Sequence, residues 1–137
     1  MSILTGAIYD ELAGDATLAG LLATYDGGPA VFTTDPAPGD ATKPYIVTAG
    51  DVSQAAMDTK TTRGREIRRD VRCYDSPAGS AARVEAIAER VRWLLHRRPL
   101  VIPGFVWILA ECSGPMVADE PEAYARIVTV RMIVEEL

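Results

Sequence analysis

Apolar residues recur at two different spacings along the chain, and each spacing predicts a different kind of element. Leu4, Ile8 and Leu12 lie four residues apart, so they would share one face of a helix over residues 2–13. Asp15 is a typical N-cap residue, and the leucines after it predict a second, short helix that ends at a pair of glycines.

The clearest helical pattern follows residue 76. Ser76-Pro77 indicates a helix start, because proline is tolerated in the first turn, and His96 and the arginines before Pro99 mark the end. His96 is expected to act there as a cation or donor for the last carbonyl groups. Between these signals the apolar residues repeat at helical spacing, at Val84, Ile87, Ala88, Val91, Leu94 and Leu95.

Strands are predicted where β-branched and aromatic residues are concentrated. Asp51–Gly64 is polar and is expected to form a long projecting loop between two of these strands. Gly114 and Pro115 are expected to end another. The four predicted strands are Tyr45–Ala49, Glu66–Tyr74, Phe105–Cys112 and Tyr124–Glu135.

The order of these elements is helices, strands, a helix and strands, which favours an α+β fold. We expect one domain over residues 1–137, built as a two-layer sandwich with the helices on one face of a mostly antiparallel sheet. Only one long helix and a shorter helical region are available, and together they would cover about one sheet face.

Two of the predicted strands are apolar on both faces. In the third strand, Phe105, Trp107 and Leu109 are expected to point one way, whereas Val106 and Ile108 point the other. The second face must therefore be covered, either by a neighbouring copy of the chain or by loops such as Pro29–Pro44. The sequence favours the neighbouring copy.

Composition and charge narrow the function. The chain has 137 residues, of which 48% are hydrophobic, and a net charge of −5, which argues against a dedicated nucleic-acid binder. There is no apolar run long enough for a membrane span, and Met1–Leu4 has no signal-peptide character. We therefore expect a protein that is made in the cytosol and does not bind a membrane.

Candidate catalytic chemistry is sparse. His96 is the only histidine, and neither Cys73 nor Cys112 lies in a motif that would pair it with a base. The spacing of these residues does not suit a structural zinc site, and there is no glycine motif that would bind a phosphate. The sequence predicts no catalytic, metal or cofactor site, and two reduced cysteines.

One cluster of arginines, between residues 63 and 72, is open to two interpretations. The arginines could contact phosphates, or they could form ion pairs between subunits with acidic residues such as Glu135 and Glu136. Strand alternation would split the cluster between two faces, and this favours ion pairs.

The layout resembles the tail-completion family of tailed phages and gene transfer agents, also called tail terminator or head–tail joining proteins. Four stretches carry the likeness and cover nearly the whole chain. They are Ala7–Leu12 with Asp15–Leu18, Pro44–Val47, Arg69–Asp75 leading into the Ala81–Leu95 helix, and Tyr124–Val130.

This resemblance implies a non-enzymatic virion protein without cofactors. Its subunits would form a ring, typically a hexamer, that stacks on the tail tube protein, ends tail growth and meets the head connector, with DNA only passing through the lumen. A different connector or stopper ring, or an accessory nucleic-acid-binding module, is the alternative. The residues expected to contact a neighbouring subunit or partner are Asp58, Lys60, Arg63, Arg65, Arg68, Arg72, Phe105, Trp107, Glu135 and Glu136.

Overall fold

The structure is a computed structural model that describes residues 2–137. The chain forms a sheet with helices packed on one face. The predicted α+β fold is confirmed. The helices are α1 (Ser2–Ala13), α2 (Ala16–Leu21) and α3 (Ala82–Leu95). The strands are β1 (Thr24–Tyr25), β2 (Gly28–Pro29), β3 (Val31–Phe32), β4 (Tyr45–Val47), β5 (Asp51–Ala56), β6 (Gly64–Asp75), β7 (Phe105–Val117) and β8 (Tyr124–Glu136).

The centre of the sheet is the antiparallel pair β6–β8. Strand β7 pairs with the other edge of β8, and β4 and β5 pair in succession with the other edge of β6. The short strand β3 adds to β4 in parallel, and β1 and β2 form a separate hairpin. None of the helices described for residues 2–137 is long and apolar enough to span a membrane.

The helical layer packs as the apolar spacing predicts. Leu4, Ile8 and Leu12 of α1 are fully buried. The residues of α3 at helical spacing are buried as well, namely Val84, Ile87, Ala88, Val91, Leu94 and Leu95. Asp15 caps α2, because its carboxylate accepts a hydrogen bond from the Leu18 N–H at 2.9 Å. The period of these residues was therefore enough to locate the three helices. The predicted end of the second helix at Gly27 and Gly28 is wrong, because α2 ends at Leu21 and the chain then forms the β1–β2 hairpin.

The start of α3 was predicted five residues too early. The helix begins at Ala82, because the segment after Ser76 is first held to the end of β6. Asp75 accepts the Ser76 N–H at 2.8 Å and two hydrogen bonds from Arg83. The Arg83 guanidinium also holds the pKa of the Asp75 carboxyl below its usual value.

The predicted loop from Asp51 to Gly64 is wrong over its first half, which forms β5. This stretch pairs with β6 through backbone hydrogen bonds, although almost all its side chains are exposed. Burial therefore leaves no signal in its sequence. Only residues 57–63 connect the two strands, and they are ordered by the Met57 N–H bonded to the Gly64 carbonyl at 2.9 Å.

Strand β7 continues through the predicted break at Gly114 and Pro115. These residues form a bulge, with Gly114 at φ 93°, where a side chain would meet the Ile127 carbonyl. A second bulge lies between Trp107 and Leu109 and shifts the alternation by one residue. Leu109 therefore lies opposite Ile133 on the face away from the helices, which corrects its predicted orientation beside Trp107.

Arg69 of β6 is the largest fully buried side chain among the described residues, with 1% of its surface exposed. Its guanidinium donates hydrogen bonds to the Asp51 carboxylate at 3.0 Å and to the Thr5 hydroxyl at 2.7 Å. These contacts join β6, β5 and α1. A buried cation with its partners removed is strongly destabilising, so the contacts hold these three elements in one arrangement.

Replacing Arg69 with methionine should lower the free energy of unfolding by roughly 3 kcal/mol, because the buried Asp51 carboxylate loses this partner. Arg68→Met is the matched control, since Arg68 lies on the exposed face and should change stability by less than about 1 kcal/mol. Chemical denaturation measures both. Equal effects of the two substitutions would contradict the assigned role of Arg69.

Candidate functional site

One end of the sheet gathers most of the residues that were predicted to contact partners. Here β6 begins, β8 ends and β7 begins, with Gly64 opposite Glu135 and Phe105 opposite Glu136. We call residues 57–65, 104–107 and 134–137 the hairpin end. It contains Asp58, Lys60, Arg63, Arg65, Phe105, Trp107, Glu135 and Glu136.

Several side chains of the hairpin end form an ion pair, a cation–π contact or a hydrogen bond within this end. Arg65 pairs with Glu136 at 3.2 Å, and its guanidinium lies 5.5 Å from the centre of the Phe105 ring. Asp58 accepts the Gly64 N–H at 3.1 Å. The sequence suggested that the arginine cluster forms ion pairs with Glu135 and Glu136 of another subunit. For Arg65, such a pair is present within the chain.

Arg68 and Arg72 lie elsewhere, on the sheet face away from the helices, which we call the outer face. Arg68 is opposite Arg131 of β8, and Glu66 lies between them, 3.4 Å from Arg68 and 3.1 Å from Arg131. Arg72 is opposite Ile127. Arg65 and Arg69, in contrast, lie on the face that carries the helices. The strand register therefore splits the arginine cluster between the two faces of the sheet, as predicted.

Half of the outer face is covered by the chain itself. The loop over residues 33–44 packs its alanines against a small second core formed by Ala30, Phe32 and Val47. Tyr45 and Tyr74 complete this core, with their ring centres 5.4 Å apart. The alternative that the loop covers the second face is therefore correct for the part built from β3, β4 and the end of β6.

The other half of the outer face, on β7 and β8, is open in the described chain. We call Val106, Ile108 and Met116 the β7 patch; they are 42%, 45% and 50% exposed. Ile127 and Ile133 lie beside them, half-buried. Glu111 and Arg131 separate the two ends of the patch, so this face is less continuously apolar than the alternation predicted.

The two long edges of the sheet differ. The middle of β7 is covered by the segment after α3, because the Arg97 N–H bonds the Ala110 carbonyl and the Cys112 N–H bonds His96 Nδ1 at 3.0 Å. His96 is thus an acceptor from a strand, which corrects its predicted role as a donor to helix carbonyls. Among the strands of the described residues, β5 pairs only with β6, and it has no charged residue from Val52 to Met57. Such an edge favours pairing with another chain.

The residues with nucleophilic potential are unsuited to catalysis. Burial raises the pKa of the Cys73 thiol to about 12 and that of Cys112 to about 11, so both are protonated at neutral pH. His96 Nδ1 accepts a hydrogen bond from the backbone N–H of Cys112. No group of three or more His, Cys, Asp or Glu within residues 2–137 is placed to hold a metal ion.

The described residues thus combine open surfaces with two protonated thiols. A family model for the tail completion protein gp17 matches residues 6–135, and the chain belongs to this family. It is therefore a structural protein of a phage or phage-like particle and not an enzyme. The resemblance seen in the sequence is confirmed.

The fold agrees with that assignment. It is similar to a chain in the virion of a native gene transfer agent particle, with a TM-score of 0.81 and 24% sequence identity. The similarity covers 96% of this chain and 94% of that chain. No curated protein sequence is significantly similar to it.

The folded protein should not react with a thiol reagent such as dithionitrobenzoate at pH 8, because both thiols are buried and protonated. After unfolding in guanidinium chloride, two thiols per chain should react. Absorbance of the released thionitrobenzoate measures this. Rapid modification of either cysteine in the native protein would contradict the assignment of both as core residues.

Proposed function

We propose that six copies of this chain form a closed ring that ends the tail tube and joins it to the head connector. Membership of the tail completion family supports a role in the tail, and the ring, its copy number and its two partners are inferred. DNA passes through the lumen of such a ring without a dedicated binding site. Ion pairing of Arg65, Arg68 and Arg69 supports this last point, because paired arginines are less available to phosphates.

The observation that carries the proposal is the β7 patch. Its apolar side chains lie on a face that neither the helices nor the loop over residues 33–44 covers. Exposed apolar patches next to polar residues are typical of protein interfaces. A ring joins two different surfaces of neighbouring copies, so each copy can cover the β7 patch of the next.

The β5–β6 hairpin supplies a second contact. Within residues 2–137, strand β5 pairs only with β6 and most of its side chains are exposed, so a neighbouring chain can approach its other edge. Its tip, residues 58–63, carries Asp58, Lys60 and Arg63. We infer that this hairpin reaches an adjacent subunit or an adjacent ring of the tail.

Ile108→Asp should prevent ring formation while leaving the subunit folded, because a carboxylate would be buried at the interface without a partner. Native mass spectrometry, with and without purified tail tubes, should detect a hexamer for the wild type and a monomer for the variant. Val101→Asp is the control, since Val101 is 90% exposed and lies outside the β7 patch. A wild-type protein that stays monomeric under both conditions would refute the ring.

Replacing residues 58–63 with Asn-Gly should leave the fold intact and abolish head–tail joining. Met57 and Gly64 are already a hydrogen-bonded pair, so a two-residue turn can connect them. Electron microscopy of particles made with this variant should show free tails and free heads. Particles joined as efficiently as in the wild type would show that the tip makes no required contact.

A further inference from the structure

An exposed tryptophan lies between two arginines at the C-terminal end of α3. Trp93 is 55% exposed, and the guanidinium carbons of Arg90 and Arg98 lie 4.2 and 4.1 Å from the centre of its ring. Both guanidinium groups therefore lie against the Trp93 ring. We call Arg90, Trp93 and Arg98 the Trp93 cluster.

The two arginines of the cluster differ in their ion pairing. Arg90 donates two hydrogen bonds to the Asp15 carboxylate, at 2.9 and 2.8 Å. Arg98 and the adjacent exposed Arg97 form no ion pair with any of the described residues. Asp10 and Glu11 line the same depression without forming an ion pair to Arg98. An anionic group from outside the chain can therefore bind Arg97 and Arg98.

A loop of opposite charge lies at the other end of α3. Residues 119–122 read Asp-Glu-Pro-Glu and are exposed. Arg126 joins this loop to the first turn of α3, because it bonds Asp119 at 2.8 Å and Glu85 at 3.2 Å. Glu120 and Glu122 form no ion pair with the described residues. The length of α3 separates the acidic loop from the Trp93 cluster by about 20 Å.

We propose that the Trp93 cluster and Arg97 of one copy bind Glu120 and Glu122 of the next copy around the ring. This inference rests on the proposed ring and names one of its contacts. The basic group lies at one end of α3 and the acidic loop at the other. When copies are arranged head to tail, the basic end of one copy can face the acidic end of the next. Tryptophan and arginine are also the residues most enriched at the energetic centres of interfaces.

A protein carboxylate fits the Trp93 cluster better than a nucleic acid does. Nucleic-acid-binding surfaces use aromatic rings as platforms on which bases stack. Two guanidinium groups already lie against the Trp93 ring, so a base would have to compete with them for it. The edges of the Arg98 guanidinium still offer N–H donors, which suit a carboxylate.

Charge reversal tests the contact. We compare three variants. The first carries both Arg97→Glu and Arg98→Glu, the second carries both Glu120→Arg and Glu122→Arg, and the third carries all four substitutions. Each double variant should lower the fraction of chains in rings at least about tenfold, because like charges then face each other. The quadruple variant should restore rings, and it serves as its own control because its net charge is that of the wild type.

Native mass spectrometry with and without tail tubes measures the rings, and circular dichroism checks the fold of each variant. Rings that persist in both double variants, or that are not restored in the quadruple variant, overturn this contact while the wild-type ring still stands. Loss of rings in the variant with Arg97→Glu and Arg98→Glu, but not in the variant with Glu120→Arg and Glu122→Arg, also overturns this contact, since the partner of the arginines is then not this loop. Absence of wild-type rings would instead refute the proposed function.

Discussion

The pairing of β6 with β8 is the constraint on which the rest of this protein depends. The two strands run in register without a shift from Gly64 opposite Glu135 to Asp75 opposite Tyr124. Because side chains alternate along a strand, this register places Ile67 and Val71 under the helices and Arg68 on the outer face. A slip of one residue would exchange the two sets, exposing the core and burying the charges.

The two long edges of the sheet differ in how far the described residues cover them. His96 and Arg97 satisfy backbone groups in the middle of β7, so this edge is protected from unspecific pairing. Strand β5 has no such cover and no charged side chain between Val52 and Met57. One edge is thus closed and the other available, which is the asymmetry that a head-to-tail assembly requires.

The outer face combines a closed half and an open half. The loop over residues 33–44 and the tyrosines next to it complete a second small core, whereas the β7 patch stays exposed. Glu66 and Glu111 hold Arg131 between the two ends of the patch. A neighbour that covers this face would therefore meet apolar side chains on both sides of a neutralised charge, so it would not have to bury an unpaired ion.

The apolar periods of the sequence determined the three helices, the long strands and the α+β class, because burial of one face imposes those periods directly. Family membership was also readable from the order of elements. Other features were decided only by tertiary structure. Strand β5 is exposed and leaves no burial signal, and the bulges after Trp107 and Ser113 depend on the partner strand. Likewise, Arg65 pairs with Glu136 and Arg98 stacks on Trp93 only in the folded chain. No pattern in the sequence indicates that these residues meet within one chain.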